Sequence, residues 1–225
     1  MGVAEEFDAW AADGRDKGME EHHWHTAKHV LRRMPVEQGE RILDLGTGSG
    51  YALRALRDTK QVGAGYGLDG SPRMLASAAG YTNDSAIGFV LGEFGSLPFL
   101  PDTIDHVFSM EAFYYATDPH RTLQEVRRVL RPGGTFYCAV NFFEESRHTH
   151  HWQDSISVEM TLWDRSTYRR AFRDAGLVVA EQDLIPDREI EIPPADAFPT
   201  DGYAQREDMI DRYRRWGTLL TVGVA

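Results

Sequence analysis

The chain has 225 residues, with 24 Lys and Arg set against 35 Asp and Glu, and a formal net charge of −11. Phosphate binding rests on Lys and Arg clusters; here Arg127, Arg128 and Arg131, or Arg212, Arg214 and Arg215, have acids among them at helical spacing, which disfavours nucleic acid as a substrate. No apolar run reaches the length of a membrane span, and the start Gly2-Val-Ala-Glu-Glu-Phe-Asp8 is acidic where a secretory leader would be basic, so the expected location is cytoplasmic.

The length suits one well-buried α/β domain spanning 1–225. Cys138 is the only cysteine, which rules out an intrachain disulfide, and its apolar neighbours read as a buried strand. Arginine outnumbers lysine 21 to 3 beside 19 Asp. That bias points to a salt-adapted or GC-rich source.

In chain order, a helix over about 20–34 precedes the sheet. Arg41 to Leu45 reads as the first strand, Tyr51 to Arg57 as a crossover helix and Ala64 to Leu68 as the second strand. Ser71-Pro72 opens a helix to about Ala79, with a cap followed by proline at the first helical position. Phe89 to Gly92 is a third strand, and Ile104 to Met110 a fourth. Pro119 to Leu130 carries Leu123, Val126, Val129 and Leu130 on one helical face, and Pro132-Gly133-Gly134 stops it before a fifth strand, Thr135 to Val140. Arg165 to Gly176 is helical again, Leu177 to Ile185 is a sixth strand, Gln205 to Arg215 a helix, and Thr218 to Ala225 is β-rich. Strands alternating with helices imply a doubly wound, mostly parallel sheet with helices on both faces. The regularity lapses at about 141–160 and 186–217.

The most informative stretch is Asp44-Leu-Gly-Thr-Gly-Ser-Gly50. A buried strand runs into a carboxylate and then three glycines, where backbone can approach a ligand and a helix N-terminus begins. A dinucleotide fingerprint needs Gly-x-Gly-x-x-Gly, yet the third glycine position is Tyr51. Asp44 would repel a pyrophosphate and attract an ammonium group. Asp69, 19 residues past Gly50 at the end of the second strand, can accept hydrogen bonds from both hydroxyls of a ribose. Gly70 beside it also allows an ordinary Asp-Gly turn.

These residues resemble the class I S-adenosylmethionine-dependent methyltransferases. Asp44 to Gly50 matches that family's first motif, and the likeness continues through Tyr66-Gly-Leu-Asp-Gly-Ser-Pro-Arg-Met-Leu75, Gly92-Glu-Phe-Gly-Ser-Leu-Pro-Phe-Leu-Pro-Asp102, the span 104–119, and Glu125-Val-Arg-Arg-Val-Leu-Arg-Pro-Gly-Gly134. Within the family the chain looks most like methyltransferase domain type 11, a small-molecule branch. The resemblance implies a Rossmann-like sheet of seven strands, the last one antiparallel and inserted between the fifth and sixth. It further implies a helical cap at 1–35, a cofactor-binding half at 36–140 and a substrate-side half at 141–225. S-adenosylmethionine would be the cofactor and S-adenosylhomocysteine the product. Asp44 would meet the methionine ammonium, Gly46, Thr47, Gly48 and Gly50 the backbone cradle, Asp69 and Gly70 the ribose, Met74, Glu93 and Phe94 the adenine, and Ser109 and Met110 the methionine portion.

Glu111, Tyr114 and Tyr115 follow the fourth strand and are expected on the substrate side. Two histidine clusters, with Trp24 and His25 in one and His148, His151 and Trp152 in the other, are expected to line a substrate pocket. His25 and His29 share a helical face, but no Cys or acid at diagnostic spacing accompanies them, so no metal is expected. The expected partner is a small molecule, with no nucleic acid, no membrane span and no assignable oligomeric state. Two other readings stand beside methyl transfer: an NAD-dependent Rossmann enzyme, and a non-catalytic S-adenosylmethionine-binding regulator or partner subunit.

Overall fold

A computed structural model describes residues 2–200 and 202–225. Seven strands form one sheet: β1 Arg41–Leu45, β2 Ala64–Asp69, β3 Ile87–Leu91, β4 Ile104–Met110, β5 Leu130–Val140, β6 Val178–Ile185 and β7 Thr218–Val224. Their order is β3-β2-β1-β4-β5-β7-β6. The first five run parallel, and β7 lies antiparallel to both β5 and β6, pairing Thr221 with Cys138 on one side and Gln182 on the other. This is the Rossmann-like arrangement expected, including the inserted final strand.

Successive strand residues alternate between two cores, as the pleat requires. Leu43, Val107 and Phe136 face one side, where Leu123, Val126 and Phe172 cover them. Ile42, Phe108 and Tyr137 face the other, beneath Val30, Met34, Leu53 and Leu56. Because both faces are covered, apolar residues fill consecutive positions of the central strands, as at Ile42, Leu43 and at Val107, Phe108.

The helices are α1 Val3–Ala12, α2 Arg15–Arg33, α3 Tyr51–Thr59, α4 Pro72–Tyr81, α5 Pro119–Val129, α6 Trp152–Ser155, α7 Arg165–Asp174 and α8 Arg206–Ile210. Three are capped as their sequences dictate. Ser71 Oγ accepts from Met74 N, Asp118 from Arg121 N and Asp164 from Thr167 N, with proline at the first position of α4 and α5.

Three expectations change. The N-terminal helix begins at Arg15 and is preceded by a separate helix, α1, with Gly14 at φ 70° between them. Val3, Phe7 and Trp10 carry its helical period, a signal too short to outweigh the polar residues around it. The fifth strand starts at Leu130: Pro132 to Gly134 bulge out of the ladder, and the register shifts between Ile104 and His106. The helix over 205–215 is α8 followed by a π-helical stretch, Asp211–Trp216, which ends at Gly217 with φ 53°.

Candidate functional site

The carboxyl ends of β1, β2 and β4 converge on a cavity of about 480 Å³, roofed by α1 and walled by α2. Open α/β sheets place their ligands at this edge, where the strand order reverses about β1.

Each strand delivers one carboxylate there. Asp44, 2% exposed, accepts from Thr47 Oγ1 at 2.8 Å. Burial raises its pKa to about 7, the Thr47 hydroxyl opposes that rise, and the nearby Asp69 charge adds to it. Asp69 accepts from Gly48 N and from Ser71 N, both at 2.9 Å. Its pKa is raised by burial too, against these backbone donors. Glu111 follows β4 directly with φ 55°, a left-handed conformation rare outside glycine.

The glycines serve different purposes. Gly46, at φ 81°, leaves no room for a side chain, because a Cβ there would lie 2.3 Å from the Cβ of Ala112. Gly48, at φ 51°, borders the cavity with nothing within 4 Å of where its Cβ would stand. A ligand can come against bare backbone at that point. Gly50 does not border the cavity; its missing side chain lets Phe89 and Ala78 pack against the start of α3.

Of the residues singled out by sequence, Asp44, Gly46, Thr47, Gly48, Asp69, Gly70, Met74, Glu93, Phe94, Met110, Glu111 and Tyr115 border the cavity. Ser109 does not. Its hydroxyl, fully buried, donates to Leu45 O at 2.8 Å and ties β4 to β1. Tyr114 stands one layer behind, donating to Glu111 Oε2 at 3.0 Å.

Trp24, His25, His148, His151 and Trp152 stand apart from the cavity. Trp24 is partly exposed, edge-on to Tyr51. His25 contacts Asp187 at 3.1 Å, His148 lies 3.7 Å from Asp211, and His151 sits beside Trp152, whose ring lies under the Arg212 guanidinium. Helical rotation explains the miss in α2: Met19, Glu20 and His23 face the cavity, so the next two positions turn away. His23 is enclosed by protein yet open to the cavity, and its pKa falls to about 4, chiefly through burial and then through His22. It is neutral at pH 7.

Sequence reasoning also missed Val3, Phe7, Ser49 and Tyr51 as wall residues. Phe7 packs edge-on against Tyr115 with centroids 4.9 Å apart. Asp8 holds α1 over the site: its carboxylate accepts from Ser71 Oγ and from Arg73 N, 3.1 Å, at the start of α4. Ser49 donates to Glu20 at 2.7 Å, which fastens α2 to the glycine turn.

A cavity bounded by carboxylates, a neutral histidine, aromatic rings and bare glycine backbone suits a ligand that is cationic at one end and flat and apolar at the other.

Comparison with known proteins agrees. The family model described as "Methyltransferase domain" matches residues 43–138. A methyltransferase solved in complex with the Haloferax volcanii Trm112 methyltransferase activator is 65% identical, with 98% of this chain and 97% of that one covered and a TM-score of 0.96. Cycloartenol-C-24-methyltransferase 1 of Oryza sativa subsp. japonica is 30% identical over 71% of this chain and 50% of its own length. Malonyl-[acyl-carrier protein] O-methyltransferase 1 of Coxiella burnetii is 31% identical over 52% of this chain and 43% of its own. The chain thus spans about half the length of these curated relatives.

Proposed function

Because the chain belongs to the class I S-adenosylmethionine-dependent methyltransferases, with a domain of type 11, we propose that it transfers the methyl group of S-adenosylmethionine and does so with a Trm112-type activator protein as partner. Membership in this family displaces the NAD-dependent reading.

The observation that carries the proposal is Asp44, a buried carboxylate at the mouth of a glycine turn, raised by burial to a pKa of about 7. A cation in the cavity relieves that strain by favouring the ionised form. Gly48 leaves space for the ligand against bare backbone. The residues present therefore fit the cofactor.

When bound, S-adenosylmethionine supplies a methyl carbon on a positively charged sulfur, already a good leaving group. The protein has the remaining work of holding and aligning. Asp44 faces the cationic methionine end, Gly46 and Gly48 bring backbone close to it, and Asp69 keeps acceptor capacity for the ribose hydroxyls beyond its bonds to Gly48 and Ser71. Glu93, Phe94 and Met74 take the adenine side. The lid made by α1 shields the site from water, and alignment of this kind can contribute effective molarities on the order of 10⁵ M.

The partner assignment corrects the expectation of a small molecule as the binding partner. That expectation followed from the acidic composition and the type 11 resemblance, neither of which reports a protein-binding surface. The 65% identical methyltransferase, alike over nearly its whole length, forms a complex with a protein activator.

Two assays test the proposal. Calorimetry should show S-adenosylmethionine binding, and co-expression with a Trm112-type protein should yield a complex that survives gel filtration. Binding without methyl transfer to any acceptor fraction, with the activator present, would favour the non-catalytic reading instead.

A further inference from the structure

Glu111 is built unlike an ordinary loop carboxylate. It is 6% exposed and borders the cavity. Its backbone is held at φ 55°, with its N–H on Ala139 O at 2.9 Å. Strain of this kind persists only where the surroundings enforce it, and it aims the side chain away from the path β4 would otherwise set. One carboxylate oxygen accepts from Tyr114, and Oε1, which the polar groups of Asn141 approach, has no donor in regular hydrogen-bond geometry among the described residues. The hydroxyl of Tyr51, on the same cavity, has no hydrogen-bond partner among the described residues either.

We infer that Glu111 is the general base of the reaction, taking a proton from an acceptor amine that enters the cavity as an ammonium group. The inference rests on the methyltransferase reading and adds to it a catalytic residue and an acceptor class. A sulfonium donor needs no acid on its leaving group, so the one proton to be moved is on the nucleophile. The ammonium gives that proton to the Glu111 carboxylate. The nitrogen lone pair so freed forms the bond to the methyl carbon, the carbon–sulfur bond breaks, and its electron pair remains on sulfur. Charge is conserved, and the proton on Glu111 then leaves to solvent.

The surroundings suit this role. Burial raises Glu111 to a pKa of about 7, opposed by the Arg212 charge, by the Tyr114 hydroxyl and by Asn141. Tyr51, Tyr115, Tyr168 and Cys138 are the other titratable groups that feel its charge, and Arg212 is the one cation among them. A base with a pKa near the working pH is ionised often enough to act and basic enough to hold the proton. The acidic, aromatic wall attracts an ammonium and repels a phosphate backbone.

The test uses the protein with its activator, S-adenosylmethionine tritiated on the methyl, and soluble extract of source cells as the acceptor. Wild type should place base-stable label on an amine of the nuclease-treated extract, at a rate rising through about pH 7. Glu111→Gln should bind S-adenosylmethionine within threefold of wild type and label at least a hundredfold more slowly. Tyr114→Phe, which removes a donor to the ionised carboxylate, should move the pH midpoint upward. The base is overturned if Glu111→Gln labels within threefold of wild type with the same pH profile. The amine is overturned by base-labile label, and the exclusion of a phosphate backbone by label confined to nucleic acid. Failure of wild type to label anything, although it binds the cofactor, would overturn the methyltransferase reading itself.

Discussion

The backbone N–H of Gly48 donates to Asp69 Oδ2 at 2.9 Å, so the glycine turn after β1 is fastened to the end of β2 by the carboxylate proposed for the ribose. One residue thereby shapes the cradle and offers a contact within it. Replacing Asp69 with Ala should therefore affect both the turn and the cofactor, whereas Asp69→Asn keeps an acceptor for one of its two backbone donors. Binding titrations should rank affinity wild type above Asn above Ala.

Gly46 and Gly48 should separate stability from binding. Gly46→Ala meets Ala112 at 2.3 Å and strains a φ of 81°, and should cost roughly 2–5 kcal/mol of stability. Gly48→Ala has open space around it, so only its left-handed backbone is penalised, by about 1 kcal/mol. Its new methyl stands where the ligand should lie. Denaturant melts paired with calorimetry should find Gly46→Ala poorly folded, and Gly48→Ala folded but weak in binding.

Asp44 carries a stability cost that its site requires. Its pKa of about 7 lies above the unfolded value of 3.8, so the folded state holds the proton more tightly. That contribution is fully present below about pH 4 and is lost as pH rises through 7. At pH 8, Asp44→Asn should be more stable than wild type by roughly 1–4 kcal/mol, and the gain should vanish near pH 4. Thermal melts across pH without cofactor give this directly.

Ser109 and the histidines bear on what the cavity excludes. Ser109→Ala leaves Leu45 O without its buried donor, and should cost about 1–3 kcal/mol with little change in cofactor affinity. The triple variant His148→Ala, His150→Ala, His151→Ala removes side chains remote from the cavity, so cofactor affinity should stay within twofold. Titration of both variants checks the pair.

The lid should depend on Asp8. Asp8→Ala removes the contacts to Ser71 and Arg73 that hold α1 at the start of α4. Stopped-flow displacement of S-adenosylhomocysteine should show faster release by about tenfold or more, with hydrogen exchange rising across Val3–Ala12.

The sheet was legible because its strands are short apolar runs punctuated by Gly, Pro and Asp, signals that are local in sequence. The glycine turn that borders the cavity was legible for a related reason: glycine at fixed spacing leaves bare backbone, and Asp44 and Asp69 end adjacent strands. The rest depends on tertiary placement. Whether His23 or His25 faces the cavity is decided by the rotation of α2, which no local pattern fixes. The roof formed by α1 depends on Asp8 meeting Ser71, 63 positions away. Ser109 and Gly50 occupy motif positions yet serve packing, since a motif constrains residues for neighbours as well as for ligands.

The most direct measurement is calorimetric titration of S-adenosylmethionine into wild type and Asp44→Asn at pH 5.5 and pH 7.0. With a pKa of about 7 for Asp44 in the free protein, wild-type affinity should tighten by about tenfold over that interval as the carboxylate is freed of its proton, while Asp44→Asn should bind at least tenfold more weakly at pH 7.0 and show no such tightening. Equal affinities for the two proteins at both pH values, or no heat from wild type, would contradict the assignment of this cavity to a cationic methyl donor.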